Sequence, residues 1–318
     1  MTRLATIVSF FAALLLFVPP VSAAEPVLVR FVYLTAVDLL PYFVADKKGY
    51  FAEVNLKVEP MLVTGGAAVI GAVSGGSAEV GYAGTVPLIA ARIQGLPLKY
   101  FSGIALDKGP ANHTLIYVAS TKSGIKTAAD LKGKMIAMNA RSGQCELIAR
   151  LRLADAGLSI ADVRITTIPF PQMQAAVQLG NVDAACNNDP FLTSMKQSGI
   201  DVPVMAGLVQ KEHVNELQLH SGLFANEEWL KQNQATASAF RAALEKAMKE
   251  IAANESEARK ILMEYTKIDA AVANNVVLSI AQTDFPVSSL QAVIDAAAAT
   301  GTVPKRIEAS ELIYDFNK

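Results

Sequence analysis

Cysteine and histidine are scarce: the 318 residues hold two of the first and three of the second. They are scattered along the chain, which has neither a histidine-rich motif nor a cysteine cluster. Glu212, His213 and Glu216 lie close together but not at H-E-x-x-H spacing. Neither cysteine has a histidine beside it in sequence to activate it, so neither reads as a nucleophile. G-x-S-x-G is missing, as is G-x-G-x-x-G, and Gly65-Gly66 lacks the Lys and Ser/Thr of a nucleotide phosphate loop. Charge of one sign is also lacking: 28 Lys+Arg face 29 Asp+Glu, a net -1, so nothing advertises nucleic acid or an anionic membrane. The chain has no apolar run of the roughly 20 residues that a membrane-spanning helix needs. We find no low-complexity tail and no solenoid period.

What is present begins with an address. Arg3 is the only charge before Glu25, Leu4 to Val18 is apolar, and Val21-Ser22-Ala23-Ala24 offers small residues before a cut. We expect a signal peptide over residues 1–24, cleaved after Ala23 or Ala24. No Cys follows the apolar run where a lipid-attachment site requires one, so the expected product is a soluble, periplasmic protein. Loss of Arg3 leaves 27 Lys+Arg against 29 Asp+Glu, a mature charge of -2. An exported chain can pair Cys145 with Cys186 if the fold brings their Cα atoms within about 7 Å. Sequence leaves that open.

The rest alternates. β-branched and aromatic runs at Val27 to Leu34, Val54 to Val63, Ala78 to Tyr82 and Pro97 to Ile104 read as strands, separated by helical segments at Leu39 to Phe51, Gly65 to Val73 and from Thr85 onward. The rhythm repeats after an extended crossing at His113 to Ser120, with strands at Met135 to Met138, Val163 to Ile168, Val182 to Cys186 and Val202 to Met205. Leu217 to Phe224 returns the chain to the first unit. From Asn226 the pattern is helical, with helices expected at Glu255 to Tyr265, Ala270 to Ala281 and Ser288 to Thr300, and Trp229 as a packing residue. The expected class is α/β: two doubly wound, mostly parallel sheets joined by a two-crossing hinge, plus C-terminal helices. Residues 25–115 and 220–318 would form one lobe and 116–219 the other.

In open α/β sheets, ligands sit beyond the carboxyl ends of the strands. The turns Tyr33 to Asp38, Thr64 to Ala68, Ala83 to Thr85 and Asn139 to Ser142 should therefore face a shared cleft. The last is central, because Arg141 lies where a strand feeds a helix N-terminus, a natural anion site. Asp38 is either a helix N-cap or, opposite Arg141, half of a zwitterion site. Asp189 is either the N-cap of the helix that follows or a ligand contact. Asn188 has no capping duty and is the better cleft candidate. Tyr33, Tyr82 and Phe170 are candidates for cleft walls or for core, and His113 and His220, on the two crossings, read as structural.

The runs Y-L-T-A-V-D-L-L-P-Y-F-V-A, K-G-Y-F-A-E-V-N-L-K-V-E, V-G-Y-A-G-T-V-P, A-A-D-L-K-G-K-M-I-A and D-A-A-C-N-N-D-P-F, in that order, resemble the periplasmic solute-binding proteins of ABC importers of the nitrate, sulfonate and taurine type. They also resemble binders of a thiamine pyrimidine precursor. The resemblance, from about Val27 to Glu257, implies a type II-like, two-lobed binding protein fold. It implies a monomer, not an enzyme, that needs no cofactor, closes on a small organic anion or zwitterion and delivers it to the membrane permease. A pyrimidine-like heterocycle is the alternative solute, and an enzyme on the same fold the remoter one. By position it assigns ligand contacts to Thr35, Asp38, Thr64, Gly65, Gly66, Thr85, Asn139, Arg141, Ser142, Asn188 and Asp189. Two departures stand out. Asn187-Asn188 replaces a position often apolar in relatives, which favours amide hydrogen bonds over ring stacking. Gln144-Cys145 fills a turn often built of Gly or Ser with an acid.

Overall fold

The computed structural model describes residues 25–109 and 113–316; the expected signal peptide lies outside them. Ten strands run β1 (Val27–Tyr33), β2 (Leu56–Leu62), β3 (Val80–Gly84), β4 (Leu98–Asp107), β5 (Leu115–Ala119), β6 (Met135–Met138), β7 (Arg164–Thr167), β8 (Ala184–Asn188), β9 (Val202–Ala206) and β10 (Gln218–Asn226). The helices of the α/β portion are α1 (Leu40–Lys47), α2 (Tyr50–Glu53), α3 (Gly66–Ser74), α4 (Thr85–Ile93), α5 (Gln144–Asp155), α6 (Phe170–Gln178) and α7 (Phe191–Gln197). The C-terminal set is α8 (Glu227–Gln232), α9 (Gln234–Ala253), α10 (Glu255–Thr266), α11 (Ala270–Ala273) and α12 (Val287–Ala299).

The strands form two five-stranded sheets with the same winding, ordered β2-β1-β3-β10-β4 and β7-β6-β8-β5-β9. Three neighbouring strands in each are parallel, whereas β10 runs antiparallel to β3 and β4, and β5 antiparallel to β8 and β9. The expectation of mostly parallel sheets is corrected to mixed ones, for a topological reason. The reversed strand of each sheet is the one that arrives from the other lobe, so it enters at the carboxyl ends of its new neighbours.

Each lobe has its own apolar centre. In the first, Phe31, Tyr42, Phe51 and Phe240 meet with ring centroids 4.6–5.9 Å apart, offset and tilted as aromatic pairs prefer, beneath α9. In the second, Val118, Ala137, Met173 and Leu192 close the face covered by α6 and α7. A further buried cluster is shared: it runs from Val86 and Ile89 of α4 through Leu147 and Ile148 of α5 to Leu290 and Val293 of α12.

Elements follow the sequence reading closely where periodicity is strong, as at β6. The helix expected over Ala270 to Ala281 ends instead at Ala273, and Ile280 bridges to Leu106 beside β4. Two backbone demands of that segment explain the early stop: the Val277 N–H bonds the Asp189 carboxylate and the Ile280 carbonyl accepts from the Leu106 N–H. The segment Leu39 to Phe51 is likewise cut in two, because Gly49 takes a left-handed conformation (φ +74°) between α1 and α2. No helix among the described residues is long and apolar enough to cross a membrane.

Candidate functional site

The carboxyl ends of β1, β2 and β3 face those of β6, β7 and β8 across a cleft with two connected hollows, of about 390 and 380 Å³, that share Leu34, Asn139 and Phe170 as walls. Such volumes suit one small solute. A larger hollow of about 690 Å³ lies outside the first lobe, between β4, α9 and the C-terminal segment. Its cations are already paired, Lys99 and Lys231 with Glu227 and Arg241 with Asp284, and it touches no strand end of the second sheet.

Most residues assigned from sequence come together in the cleft. Thr35, Thr64 and Gly65 line the smaller hollow, Gly66, Arg141, Ser142 and Asn188 the larger, and Asn139 both. Gly65, at φ +87°, lets the chain turn from β2 into α3 with no side chain in the way. Three assigned residues do not line it. Thr85 is fully buried at the start of α4, its hydroxyl without a hydrogen-bond partner among the described residues. Asp38 is buried behind the cleft wall, where its carboxylate accepts hydrogen bonds from the hydroxyls of Tyr82 (2.8 Å), Ser221 (2.8 Å) and Ser279 (2.6 Å). That carboxylate caps no helix. Asp189 accepts from the Thr193 N–H (2.9 Å) and hydroxyl (2.7 Å) at the start of α7, and from the Val277 N–H (3.0 Å) of the first lobe. Burial pushes its carboxyl up, opposed by those donors.

The focal turn has an occupant that the sequence reading missed. The strand-to-helix junction is there, but α5 begins at Gln144 with Gly143 as its N-cap, and Ser142 takes φ +52°. Its N–H donates to Glu146 Oε2 at 2.8 Å. Arg141 grips the same carboxylate with Nε (2.9 Å) and Nη2 (3.1 Å), and Arg150 does so with Nε (2.9 Å) and Nη2 (2.8 Å). Burial of Glu146 works against its charge, but the Ser142 N–H and the two guanidiniums outweigh it and hold the carboxyl below the ordinary range. A glutamate three residues into a helix, after a Gly that cannot cap by side chain, is the signal that was available.

Cys145 and Cys186 form a disulfide, with Cα atoms 5.9 Å apart, which ties the first turn of α5 to β8 directly beneath Asn188. Beside it Gln144 reaches into the first lobe, donating from Nε2 to the His220 carbonyl at 3.0 Å and lying 3.4 Å from His220 Nδ1. Its amide rests on Gly84, where a Cβ would stand 1.7 Å from Gln144 Oε1. His220 itself lines the larger hollow and sits between two buried carboxylates, Nδ1 3.4 Å from Asp107 and Nε2 3.7 Å from Asp38. Burial opposes an imidazolium there, yet Asp107 and Asp38 together raise His220 above its usual range, and Asp107 is held well below its own. His113 also faces Asp107, at 3.8 Å. Both histidines are on the crossings, as expected, but His220 is a cleft residue too. Of the aromatic candidates, Phe170 walls both hollows, Tyr82 the larger, and Tyr33 belongs to the aromatic core.

Two similarly wound sheets closing strand ends over one hollow is a recognisable plan. Residues 36–258 match the family described as NMT1/THI5 like, more than half of the chain. The chain belongs to that family. A protein of Escherichia coli (strain K12) named "Putative aliphatic sulfonates-binding protein" is 35% identical over 138 residues, an alignment covering 43% of this chain and only 42% of that relative. A protein of Brucella abortus (strain 2308), named only for binding, is 26% identical over 265 residues, 81% of this chain and 77% of its own. Among solved structures, the alkanesulfonate-binding protein SsuA from Xanthomonas axonopodis pv. citri, bound to MOPS, superposes with a TM-score of 0.77 at 20% identity, covering 92% of this chain and 99% of that one. The nitrate-binding protein NrtA from Synechocystis PCC 6803 gives 0.73 at 18% identity, with 90% and 84% covered. These likenesses establish the periplasmic binding protein fold.

Proposed function

We propose that this chain is the exported solute-binding component of an ABC importer, closing its lobes over one small organic solute and presenting it to the permease. The observation that carries this reading is that the turns after β1, β2, β6 and β8, drawn from both sheets, line one cleft. A ligand shifts an open–closed equilibrium only through contacts it makes better in the closed state, which is what walls from two lobes provide. The names of relatives favour an organic anion such as a sulfonate, for which Arg141 is the cation at hand. The zwitterion reading loses support because Asp38, its intended acid, is buried behind Tyr82 and His220 and already accepts from three hydroxyls. An uncharged, pyrimidine-like ring is the second reading, favoured by Asn139, Asn188 and Phe170 around the hollows.

The test is a thermal-shift panel on the processed protein with alkanesulfonates, taurine, nitrate, carboxylates, carboxamides and pyrimidines. A true solute at 100 times its dissociation constant adds about 2.7 kcal/mol to stability. Periplasmic release of a shortened chain on fractionation accompanies it. Retention in the cytoplasm, together with no stabilising compound in any class, overturns the function.

A further inference from the structure

Both basic side chains of the cleft meet the protein's own carboxylates. Among the described residues lining the two hollows, only Arg141 and His220 are basic, and each lies against such a carboxylate. Glu146 is buried and takes the Ser142 N–H and the Nε–Nη2 edge of Arg141, and because Arg150 grips the same carboxylate the three side chains together keep one positive charge. A carboxylate or sulfonate brought to Arg141 would have to use its remaining edge beside Glu146, and repulsion between the two anions offsets part of the attraction to the guanidinium.

What remains unanswered is an amide. Asn188 is 7% exposed and lines the larger hollow, and its side-chain Oδ1 has no hydrogen-bond partner among the described residues. Its neighbour Asn187 is satisfied internally, donating to the Phe170 carbonyl at 3.0 Å and accepting from the Asn188 N–H at 3.0 Å. A buried carbonyl oxygen without a donor is costly, and a bound solute supplying that donor recovers the cost. The first-turn N–H groups of α5 have no intrahelical acceptor and can donate to an oxygen of the solute. Phe170 and Leu34 provide flat and apolar walls on either side.

We propose that Glu146 is a resident carboxylate filling the anion-binding turn, so that the cleft selects an uncharged solute presenting an amide-type edge, a carboxamide, lactam or urea, to Asn188. This rests on the solute-binding reading above and narrows its ligand class.

The probes are a size-matched series on one ring: nicotinamide, nicotinate and pyridine-3-sulfonate, with uracil as a lactam, each titrated into the processed full chain by calorimetry and thermal shift at millimolar concentration. The expected result is that nicotinamide or uracil binds at least tenfold tighter than nicotinate and the sulfonate. Asn188→Leu, close in volume, should remove that binding. Glu146→Gln, which frees the guanidinium of Arg141, should raise affinity for the sulfonate at least tenfold. Tighter binding of either anion by the unaltered protein overturns the proposal while leaving the solute-binding function standing. So does amide binding that survives Asn188→Leu, or no shift with either uncharged probe. Failure of the broader reading looks different, since no compound of any class then stabilises the chain.

Discussion

Gly84→Ala isolates one of the contacts between the lobes, that of Gln144 with His220. The glycine's φ of -67° and ψ of 162° suit alanine, so the backbone has no reason to move. The added Cβ would meet the end of Gln144, 1.7 Å from Oε1 and 2.6 Å from Cδ, and a flexible side chain yields where backbone would not. The cost is therefore the displaced amide: the Gln144 to His220 hydrogen bond (3.0 Å) is lost, worth about 1 kcal/mol net. Spent on an equilibrium between apart and closed lobes, about 1 kcal/mol is roughly a fivefold fall in the closed-to-open ratio. Affinity for any solute that binds the closed form falls by up to the same factor as the competent fraction shrinks. Two fluorophores, one per lobe, report the equilibrium by energy transfer, and calorimetry reports the affinity. The decisive comparison is the double-mutant cycle with Gln144→Ala, in which Gly84→Ala should cost almost nothing because its obstacle is gone. An equal loss in both backgrounds would show that Gly84 matters for some other reason and that Gln144 is no latch.

Replacing both Cys145 and Cys186 by alanine opens a link that spans 41 residues of sequence, and loop entropy puts its contribution at about 4 kcal/mol; urea midpoints of variant and parent check this, and a loss under about 1 kcal/mol would contradict it. Asp38→Ala orphans three hydroxyls buried around one carboxylate, so we expect a loss of about 3 kcal/mol or more in the same assay. His220 has a raised folded-state pKa, so its stabilisation is complete below its ordinary value of 6.5 and is lost as pH rises through the folded value. Asp107, with a lowered one, contributes above 3.8 and is lost only as pH falls through its folded value. Denaturation midpoints should therefore drop on the alkaline side of 6.5, and His220→Gln should flatten that slope; an unchanged profile would remove the imidazolium from the account.

Local signals made the elements legible. β6 and α12 were readable because their apolar residues recur at one period and their boundaries carry Gly, Pro or charge, information contained within a dozen residues. The turns that meet at the cleft were legible for a related reason, since parallel strands must end on one edge and ligands collect there. Asp38 and Asp189 were not decidable, because a carboxylate before a helix looks the same in sequence whether its partners are the helix, a solute or a distant hydroxyl. Ser221 and Ser279, which bond Asp38, stand 183 and 241 positions away from it.

By itself the sequence determined the alternating architecture and the family, since periodicity and ordered short motifs are properties of neighbours along the chain. Only the tertiary structure decided the charge of the site. Whether Arg141 is free for a solute depends on Glu146 turning back from α5 onto it, and whether Gln144 touches His220 depends on how two lobes meet. Coulomb and hydrogen-bond energies vary with distance in space, and sequence separation does not report that distance.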